Sequence, residues 1–510
     1  MNPQISARQQ SSLPAPGRPP TVTAERPADA AFALDPEHPQ GLPSWLRQLH
    51  RRHGRPAMDW LRFVRRNPEA MQRSSFSFVD WKEDNWLYYT HPWPFFLTPA
   101  TQRRLEEATT AVSNLIQSLP TRLFGDDPQR LARALHLDLE EATIAADHRG
   151  RRDSPPLWTR ADFYDTPQGL RCLELNASSF LGGWQDATWR SLYEQHPIVR
   201  QFLQEYGLRV QPGGQSLDHL FCGAARRAWD AGFGADGELN LLLTLRSQEQ
   251  LTEVIRFDDR DAVGQLWTAA LNKLDPNLRG RVTLGLLEDL DLDHRTPRFE
   301  QAPQHIVVEF YVGMTPEPLR RCIDGGGVHV YNGPSHLLLR SKLHLALLHE
   351  HLESDAFSEG ERRQIRAHVP WSARTRRDRP LRFRGEVIEA EKLLLSHRDD
   401  LVLKLGHSAS GEGVHVGFHT PPEEWEQRVA TALDEPGWMV QERVDGLPLL
   451  LQGGERGACL HDVAWGLFTF GDDYGGGFLR VRPSDPEGAQ RAGVVNVSQG
   501  ALESALLVVD

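Results

Sequence analysis

Two pairs of polar residues, with one position between the members of each pair, lie close together in the sequence. Arg160 and Asp162 form the first pair, and Glu174 and Asn176 form the second. Side chains two positions apart on a β-strand share a face, so each pair would project together, and Cys172 would join the second. The Glu174 and Asn176 oxygens suit Mg²⁺, while the Arg160 guanidinium suits a phosphate that Asp162 would orient. The alternative is an edge strand whose polar residues face water.

A hydrophobic run that ends in a lysine leads into a glycine-rich turn. Lys404 ends the run 401–404, and the turn that follows contains Gly411 and Gly413. Backbone N–H groups in such a turn can lie over a polyphosphate while the lysine ammonium neutralises it. The segment is not a Walker loop, because the lysine precedes the glycines. The alternative is a plain β-hairpin with a glycine-rich turn.

Two later strands carry further candidates. In the run 438–444, backbone amides could read the edge of an adenine and Glu442 could bind ribose hydroxyls. On the run 478–482, Arg480 and Arg482 would share one face and could hold a carboxylate or a phosphate. Taken alone, the first run is more typical of an ordinary sheet strand, and the second is equally typical of an exposed basic strand.

In their order along the chain, these segments resemble the circularly permuted ATP-grasp ligases. Eukaryotic-type glutathione synthetase and the glutathionylspermidine-synthetase-like proteins are the members that the sequence is most similar to. The resemblance covers residues 157–500, and the co-occurrence of its segments is more specific than any one of them. The segments are ELNASS at 174–179, RSKLHLALL at 340–348, VLK at 402–404 with its turn, VQE at 440–442, and LRVR at 479–482 followed by GVVNVSQG at 493–500.

The resemblance implies a role for each matching position. The implied Mg²⁺ ligands are Glu174 and Asn176. The implied catalytic arginines are Arg160 and Arg480, with Asp162 and Ser178 on the substrate side. The implied ATP-binding residues are Lys342, Lys404, Gly411, Gly413, Met439, Val440, Gln441, Glu442 and Arg482; within this set the glycines form a mobile lid, and the run 439–442 forms the adenine hinge.

The sequence departs from the family pattern in the turn after Lys404. The family places an acidic residue there to complete the metal site, whereas His407 and Ser408 occupy those places here, and Leu405 stands where proline is common. Glu412 is the nearby acid, and we predict that it replaces the missing ligand from the lid. Otherwise one metal is held more weakly, or the chain is a partly degenerate copy, which affects activity more than nucleotide binding.

The implied reaction is ATP-dependent formation of an amide or peptide bond. A substrate carboxylate attacks the γ-phosphate of ATP to give an acyl phosphate, and an amine then displaces phosphate. The cofactors would be ATP and Mg²⁺, and the partners a small carboxylate, such as an amino acid or a small peptide-like molecule, and an amine. Two alternatives remain: a nucleotide-binding scaffold, and a phosphotransferase that uses His407 or His415. The resemblance also favours a homodimer.

The fold predicted to hold these residues is of the α/β (α+β) class, a circularly permuted ATP-grasp with a mainly helical N-terminal region. Residues 1–40 are predicted as a disordered leader, and 41–156 as helical, with aromatic residues before position 97 that we interpret as core packing. Residues 157–340 alternate strands and helices, which predicts an α/β unit with a mainly parallel sheet. Residues 341–510 predict the ATP-grasp lid and a nucleotide-binding region.

Composition excludes several classes of protein. The chain has 510 residues and a formal charge of −12, which argues against general binding to nucleic acid or to anionic lipid. Its four cysteines are widely spaced without a CxxC, so neither a zinc site nor a disulfide framework is predicted. The sequence has no secretory h-region and no run near the roughly 20 apolar residues of a membrane span, which predicts a cytoplasmic protein.

Overall fold

The computed structural model describes residues 52–67, 90–149, 157–178, 181, 186–211, 216–246, 260–309, 314–408, 411–452, 458–484, 495–497 and 500–510. The predicted leader lies outside this part of the chain. The helices are α1 (Arg55–Arg66), α2 (Pro99–Phe124), α3 (Pro128–Leu135), α4 (Leu139–Arg149), α5 (Asp186–Gln195), α6 (Pro197–Tyr206), α7 (Ser216–Asp230), α8 (Arg260–Asn272), α9 (Glu317–Asp324), α10 (Leu343–Glu350), α11 (Glu359–His368), α12 (Ala390–Ser396) and α13 (Pro422–Asp434).

The strands alternate with these helices along most of the chain. They are β1 (Phe95–Leu97), β2 (Trp158–Thr166), β3 (Gly169–Ala177), β4 (Leu241–Leu245), β5 (Val282–Leu286), β6 (Arg298–Phe299), β7 (Ala302–Pro303), β8 (Ile306–Glu309), β9 (His329–Tyr331), β10 (Ser372–Arg374), β11 (Leu381–Phe383), β12 (Glu386–Ile388), β13 (Leu401–Leu405), β14 (Val414–Val416), β15 (Trp438–Glu442), β16 (Leu449–Gln452), β17 (Ala458–Phe470), β18 (Asp473–Pro483) and β19 (Leu502–Val508).

Three sheets organise the molecule as a mixed α/β fold. A seven-stranded sheet has the order β1-β19-β18-β17-β2-β3, with β16 also paired to β17, and draws its strands from three of the four predicted segments. Four strands in the order β5-β4-β8-β9 form a parallel sheet. Four others, in the order β10-β15-β13-β14, form an antiparallel sheet. The pairs β6-β7 and β11-β12 are separate two-stranded ribbons.

The prediction of a mainly parallel sheet for residues 157–340 is correct for one sheet and wrong for the strand at 170–175. That strand is part of β3, which pairs antiparallel with β2 in the seven-stranded sheet. The reason is that β2 and β3 are joined by a two-residue turn, and such a short connection permits only an antiparallel pair. The parallel strands β4, β5, β8 and β9 all come from the later part of the same segment.

The helical N-terminal region packs against the seven-stranded sheet through α2. Thr98 caps this helix by accepting a hydrogen bond from the Thr101 N–H, and Pro99 occupies its first turn. The helix buries an apolar face that contains Leu105, Ala108, Val112, Leu115 and Ile116. Of the aromatic residues before position 97, Trp93, Phe95 and Phe96 are buried, which confirms core packing for them, and those at 81–89 lie outside the described residues.

A second hydrophobic core belongs to the four-stranded antiparallel sheet. Leu403 and Val440 pack there with Trp425 of α13 and Leu393 of α12. This core gives the sheet its own apolar support, so β13 and β15 can hold polar residues at their ends. Among the described helices, none combines the length and the apolar character that crossing a membrane requires.

Candidate active site

Four neighbouring strands bring the first predicted residues to one face of the seven-stranded sheet. In the register of β18, β17, β2 and β3, Arg480 lies opposite Ala464, Gly466 lies opposite Asp162, and Asp162 lies opposite Glu174. The β17 residues on this face are therefore an alanine and a glycine. Because neither has a long side chain, Arg480 can reach over β17 to a carboxylate on β2.

Asp162 is the centre of a buried ionic group. Its carboxylate accepts hydrogen bonds from Arg160 Nε at 2.8 Å and Nη2 at 3.0 Å, and Arg480 Nη2 lies 2.7 Å from Asp162 Oδ2. Burial raises the pKa of Asp162, but Arg160 and Arg480 outweigh it and hold that pKa well below its usual range. Two guanidinium groups share this carboxylate, and Arg480 is also attracted by Glu503 and Glu174. Guanidinium groups are suited to binding a carboxylate or a phosphate.

Arg480 has hydrogen-bonding capacity that the described residues do not use. Its side chain is 7 % exposed, and burial lowers its pKa while the attraction of Asp162 raises it, with a net increase. Within the described part of the chain, Arg480 Nε has no hydrogen-bond partner. A buried N–H without a partner is costly, and an anionic ligand would satisfy it.

A β-bulge on β3 separates Cys172 from Glu174. The register with β2 shifts between Asp162 and Phe163, which leaves Leu173 as the extra residue. Cys172 is consequently buried on the same side as Leu175, so the prediction that Cys172 shares a face with Glu174 is wrong. The bulge also leaves the carbonyl of Leu173 free for a partner outside the sheet.

Lys404 supplies that partner. Its ammonium donates to the carbonyl of Leu173 at 2.9 Å and to Gln441 Oε1 at 2.7 Å, and the side chain is almost fully buried. Burial lowers the pKa of Lys404 to about 8, although Glu174 acts in the opposite direction. Both of its partners are neutral oxygens, so the positive charge lacks a direct counterion and would favour a bound anion.

Lys342 joins the glycine-rich turn to β3. It precedes α10, and its backbone N–H donates to the carbonyl of Gly406 at 2.9 Å. Its ammonium lies 3.7 Å from Glu174 Oε2, and it donates to Ser408 through both the carbonyl and, at 3.3 Å, the hydroxyl oxygen. The two lysines therefore converge on Glu174 from separate segments of the chain.

Glu174 and Asn176 offer oxygens that fit Mg²⁺ in part. The Asn176 amide nitrogen donates to Asp162 Oδ2 at 3.2 Å and to Glu174 Oε1 at 3.3 Å, which leaves Asn176 Oδ1 and Glu174 Oε2 without a hydrogen-bond donor among the described residues. Mg²⁺ commonly takes one or two protein oxygens together with phosphates and water. Glu412 is exposed and makes no hydrogen bond or ion pair within the described residues. Within the described residues, the structure has no group of three or more histidine, cysteine, aspartate or glutamate side chains that could hold a metal ion.

The residues predicted as the adenine hinge lie in an interior strand of the antiparallel sheet. The side chains of Met439 and Val440 are fully buried, and β15 pairs with β10 on one side and β13 on the other. The backbone of the run 439–441 is therefore used within the sheet and leaves no edge for a base. Glu442 is also engaged, because its N–H donates to Trp371 and its carboxylate accepts from Arg384 at 3.0 Å.

The remaining predicted residues lie on the turn after β13, on β18 and directly after β3. Gly411 and Gly413 have φ of 81° and 64°, so both use the left-handed region that favours glycine in the turn between β13 and β14. Arg482 is half-buried two positions beyond Arg480, opposite Asp462 on β17. Ser178 follows β3 directly and is half-buried.

Several contacts that hold the cluster together were not predicted from the sequence, although the residues that make them were named. Gln441 binds the Lys404 ammonium, and Ser408, at the place where an acid was expected, binds Lys342. His407 points elsewhere, because its Nε2 donates to the carbonyl of Leu135 at 2.7 Å. The sequence does contain a signal for this arrangement. Ala464 and Gly466 are small residues in a strand of mostly bulky ones, and they leave room for the Arg480 side chain to cross β17.

Comparisons with known proteins bear on the fold. No protein-family model and no curated protein sequence matches the chain. The glutathione synthetase-like effector GSS30 from Globodera pallida, solved in its apo form, is similar in structure with a TM-score of 0.55 and 11 % identity, over 87 % of this chain and 98 % of that one. A protein from Methylobacillus flagellatus, provisionally assigned as a gamma-glutamylcysteine synthetase, gives a TM-score of 0.36 at 10 % identity over 78 % and 87 %.

The first of these similarities shows a fold related to that of glutathione synthetase-like proteins. The second is too weak to support an argument.

Proposed function

We propose that the protein is an ATP-dependent carboxylate-amine ligase with a circularly permuted ATP-grasp arrangement. Its substrates would be a carboxylate on an amino acid or small peptide-like molecule and a small amine, and it would form the amide through an acyl phosphate. The observation that carries the proposal is the convergence of Lys342 and Lys404, from separate segments, on Glu174 and Leu173 of β3. These residues lie beside the buried group of Arg160, Asp162 and Arg480.

The residues of this cluster can together stabilise the charges that take part in phosphoryl transfer. Lys342 and Lys404 would neutralise phosphate oxygens, and the buried Lys404 ammonium gains most because it has only neutral partners now. Arg160 and Arg480 would hold the attacking carboxylate in line with the phosphoryl group. The Glu174 and Asn176 oxygens would hold Mg²⁺, which when bound neutralises charge on the transferring group.

The test is ADP release with pairs of amino acids, carboxylates and amines, with the amide detected by mass. We expect Glu174→Gln and Arg480→Lys each to lower the rate by about 10²- to 10³-fold, by analogy with the loss of a single charge-stabilising donor. Glu353→Gln is a matched control, since Glu353 is exposed and pairs with Arg366 away from the cluster. Turnover at the wild-type rate in both cluster variants would contradict the proposal.

A nucleotide-binding scaffold is the second candidate. It is favoured by Ser408, which stands where the family has an acid and binds Lys342, and by the exposed position of Glu412. In the ligase, Glu412→Gln lowers turnover and leaves ATP affinity unchanged, because Glu412 would act as a metal ligand from the lid. A wild-type chain that binds ATP, measured by calorimetry, but forms no ADP with any substrate pair supports the scaffold instead.

A further inference from the structure

Gln441 lies on the face of the four-stranded antiparallel sheet that contacts β3. On β15 it pairs with Ser372 of β10 on one side and with Val402 of β13 on the other, and Lys404 is two positions from Val402. Residues directly opposite each other in a sheet share a face, as do residues two apart on one strand. These four side chains therefore project together, on the face away from the sheet's own hydrophobic core.

Both ends of the Gln441 amide make hydrogen bonds. Its Oε1 accepts from the Lys404 ammonium at 2.7 Å, and its Nε2 donates to Ser372 Oγ at 3.3 Å. The Ser372 hydroxyl donates in turn to the carbonyl of Pro370 at 2.9 Å. Gln441 and Ser372 are each 1 % exposed, so water competes little for these hydrogen bonds.

The groups at the two ends permit one orientation of this amide. An ammonium has only donors, so the end that faces Lys404 must be the amide oxygen. The single proton of the Ser372 hydroxyl is used on a carbonyl, so this hydroxyl can only accept from the amide, and the end that faces it must be the nitrogen. Ser372 therefore prevents Gln441 from turning its NH₂ group toward Lys404.

The two lysines of the cluster have partners of different charge. Lys342 lies 3.7 Å from the carboxylate of Glu174, whereas the Lys404 ammonium is held by an amide oxygen and a backbone carbonyl. A carboxylate in place of the Gln441 amide would form a charge-assisted hydrogen bond and neutralise the ammonium. An amide fixes the position of the ammonium and leaves its charge for a ligand.

We propose that Gln441 is a positioning residue for phosphoryl transfer: anchored by Ser372, it holds the Lys404 ammonium in place without neutralising it. This inference rests on the proposed ligase function. The two hydrogen bonds of Lys404 use two of its three ammonium donors, so they also fix the direction of the third, which can donate to a phosphate oxygen. Gln441 acts through Lys404, and this role differs from the adenine contact that the sequence predicted.

The first experiment measures the affinity of the full chain for ATP with Mg²⁺ by calorimetry. Gln441→Glu places a carboxylate of the same shape beside Lys404, so we expect ATP to bind at least about tenfold more weakly. Gln441→Met removes the acceptor and leaves the charge, so ATP should bind at least as tightly as to the wild type, because a phosphate oxygen replaces the lost acceptor. Gln427→Glu is the matched control, since it adds the same charge at an exposed position of α13.

The rate of ADP release distinguishes positioning from a merely structural role. In Gln441→Met the ammonium keeps its charge and loses its fixed direction, so kcat should fall at least about tenfold while KM for ATP does not rise. Ser372→Ala retains Gln441 but frees its amide to rotate, so it should lower kcat by a smaller factor without weakening ATP binding. Circular dichroism shows which variants fold.

Opposite changes in ATP affinity in the two Gln441 variants support the role. An unchanged affinity in folded Gln441→Glu, or an equal loss in Gln441→Glu and Gln441→Met, overturns it. If neither variant folds, Ser372→Ala decides, and a wild-type kcat in that variant overturns the role. ATP binding without ADP release by the wild type contradicts the ligase alone and leaves the affinity comparison to decide, whereas a wild type that binds no ATP contradicts both proposals.

Discussion

At the scale of single residues, the buried group around Asp162 combines a contact that the sequence predicts with one that it does not. Arg160 and Asp162 are two positions apart on one strand, so their pairing follows from the alternation of side chains. Arg480 approaches from β18 across an intervening strand, and no local pattern records which strands will be neighbours. The sequence therefore identified Arg160, Asp162 and Arg480 but not that Asp162 joins the two arginines.

Removing that carboxylate should strongly destabilise the fold. In Asp162→Ala, Arg160 and Arg480 remain largely buried without their shared counterion, and we expect a loss of about 3–5 kcal/mol in the free energy of unfolding. Urea denaturation followed by tryptophan fluorescence measures the change. Asp378→Ala removes the partner of Arg376 in an exposed ion pair and should leave the urea midpoint unchanged. Equal midpoints for the two variants would show that the Asp162 group contributes no more than a surface pair.

For Lys404, the sequence indicated a role in binding phosphate but not the hydrogen-bond partners of its ammonium. Its place at the end of a hydrophobic strand before a glycine-rich turn indicated a phosphate-binding lysine. Its actual partners are a bulge carbonyl on β3 and Gln441, which had been interpreted as part of an adenine hinge. A bulge depends on how two strands pair, and hence single-strand periodicity does not predict it.

At the scale of elements, locally determined structure was predicted well. The strand pair around Lys404 forms as the sequence indicated, and α13 and the hairpin of β17 and β18 with its turn at Gly471 are likewise local structures. Each depends on short-range periodicity, capping or turn residues. Membership of a sheet depends on pairing between distant segments, and the strand at 170–175 was therefore placed in the wrong type of sheet.

The β17 strand yields a prediction about close packing. A Cβ at Gly466 would lie 3.2 Å from both Arg160 Cδ and Phe478 Cζ, and these side chains are held by Asp162 and by burial. We expect Gly466→Ala to lower the free energy of unfolding by about 1–3 kcal/mol through overpacking. The measurement is again urea denaturation of the full chain.

The same substitution elsewhere provides its control. Gly223 lies within α7, and a Cβ there meets nothing within 4 Å. Gly223→Ala should therefore stabilise the protein by up to about 1 kcal/mol, because alanine favours helix more than glycine does. An equal stabilisation in Gly466→Ala would mean that β17 has room for a side chain and that the path of Arg480 does not require glycine.

At the scale of the whole molecule, the seven-stranded sheet joins the two ends of the described chain. β1 pairs with β19, and β2 and β3 pair onto the hairpin that precedes β19, so residues near 95, 160, 470 and 505 share one sheet. The ordered set of motifs resembled glutathione synthetase-like proteins, and the similarity to the Globodera pallida protein shows a fold related to theirs. The pairings β1-β19 and β2-β17 could not be read from one sequence, because each joins segments that are hundreds of residues apart.

The whole molecule also buries many histidines in the neutral form, which makes its stability depend on acidity. Burial lowers the pKa of His91, His344 and His349 to about 4 and that of His461 to about 3, from an ordinary value of 6.5. Between pH 6.5 and 4 the unfolded chain binds protons that the folded chain does not. The free energy of unfolding therefore falls as the pH falls through this window, by up to about 1.4 kcal/mol per pH unit for each histidine.

We expect the urea midpoint to decrease steadily from pH 7 to pH 4.5, and the slope identifies which residues cause the decrease. His344→Gln keeps a donor for the carbonyl that His344 Nε2 contacts, Leu338, but cannot bind a proton, so its midpoint should fall less steeply than that of the wild type. His294→Gln changes a half-exposed histidine and should retain the wild-type slope. A wild-type midpoint that is constant across this range, or identical slopes in both variants, would mean that buried neutral histidines do not control acid stability.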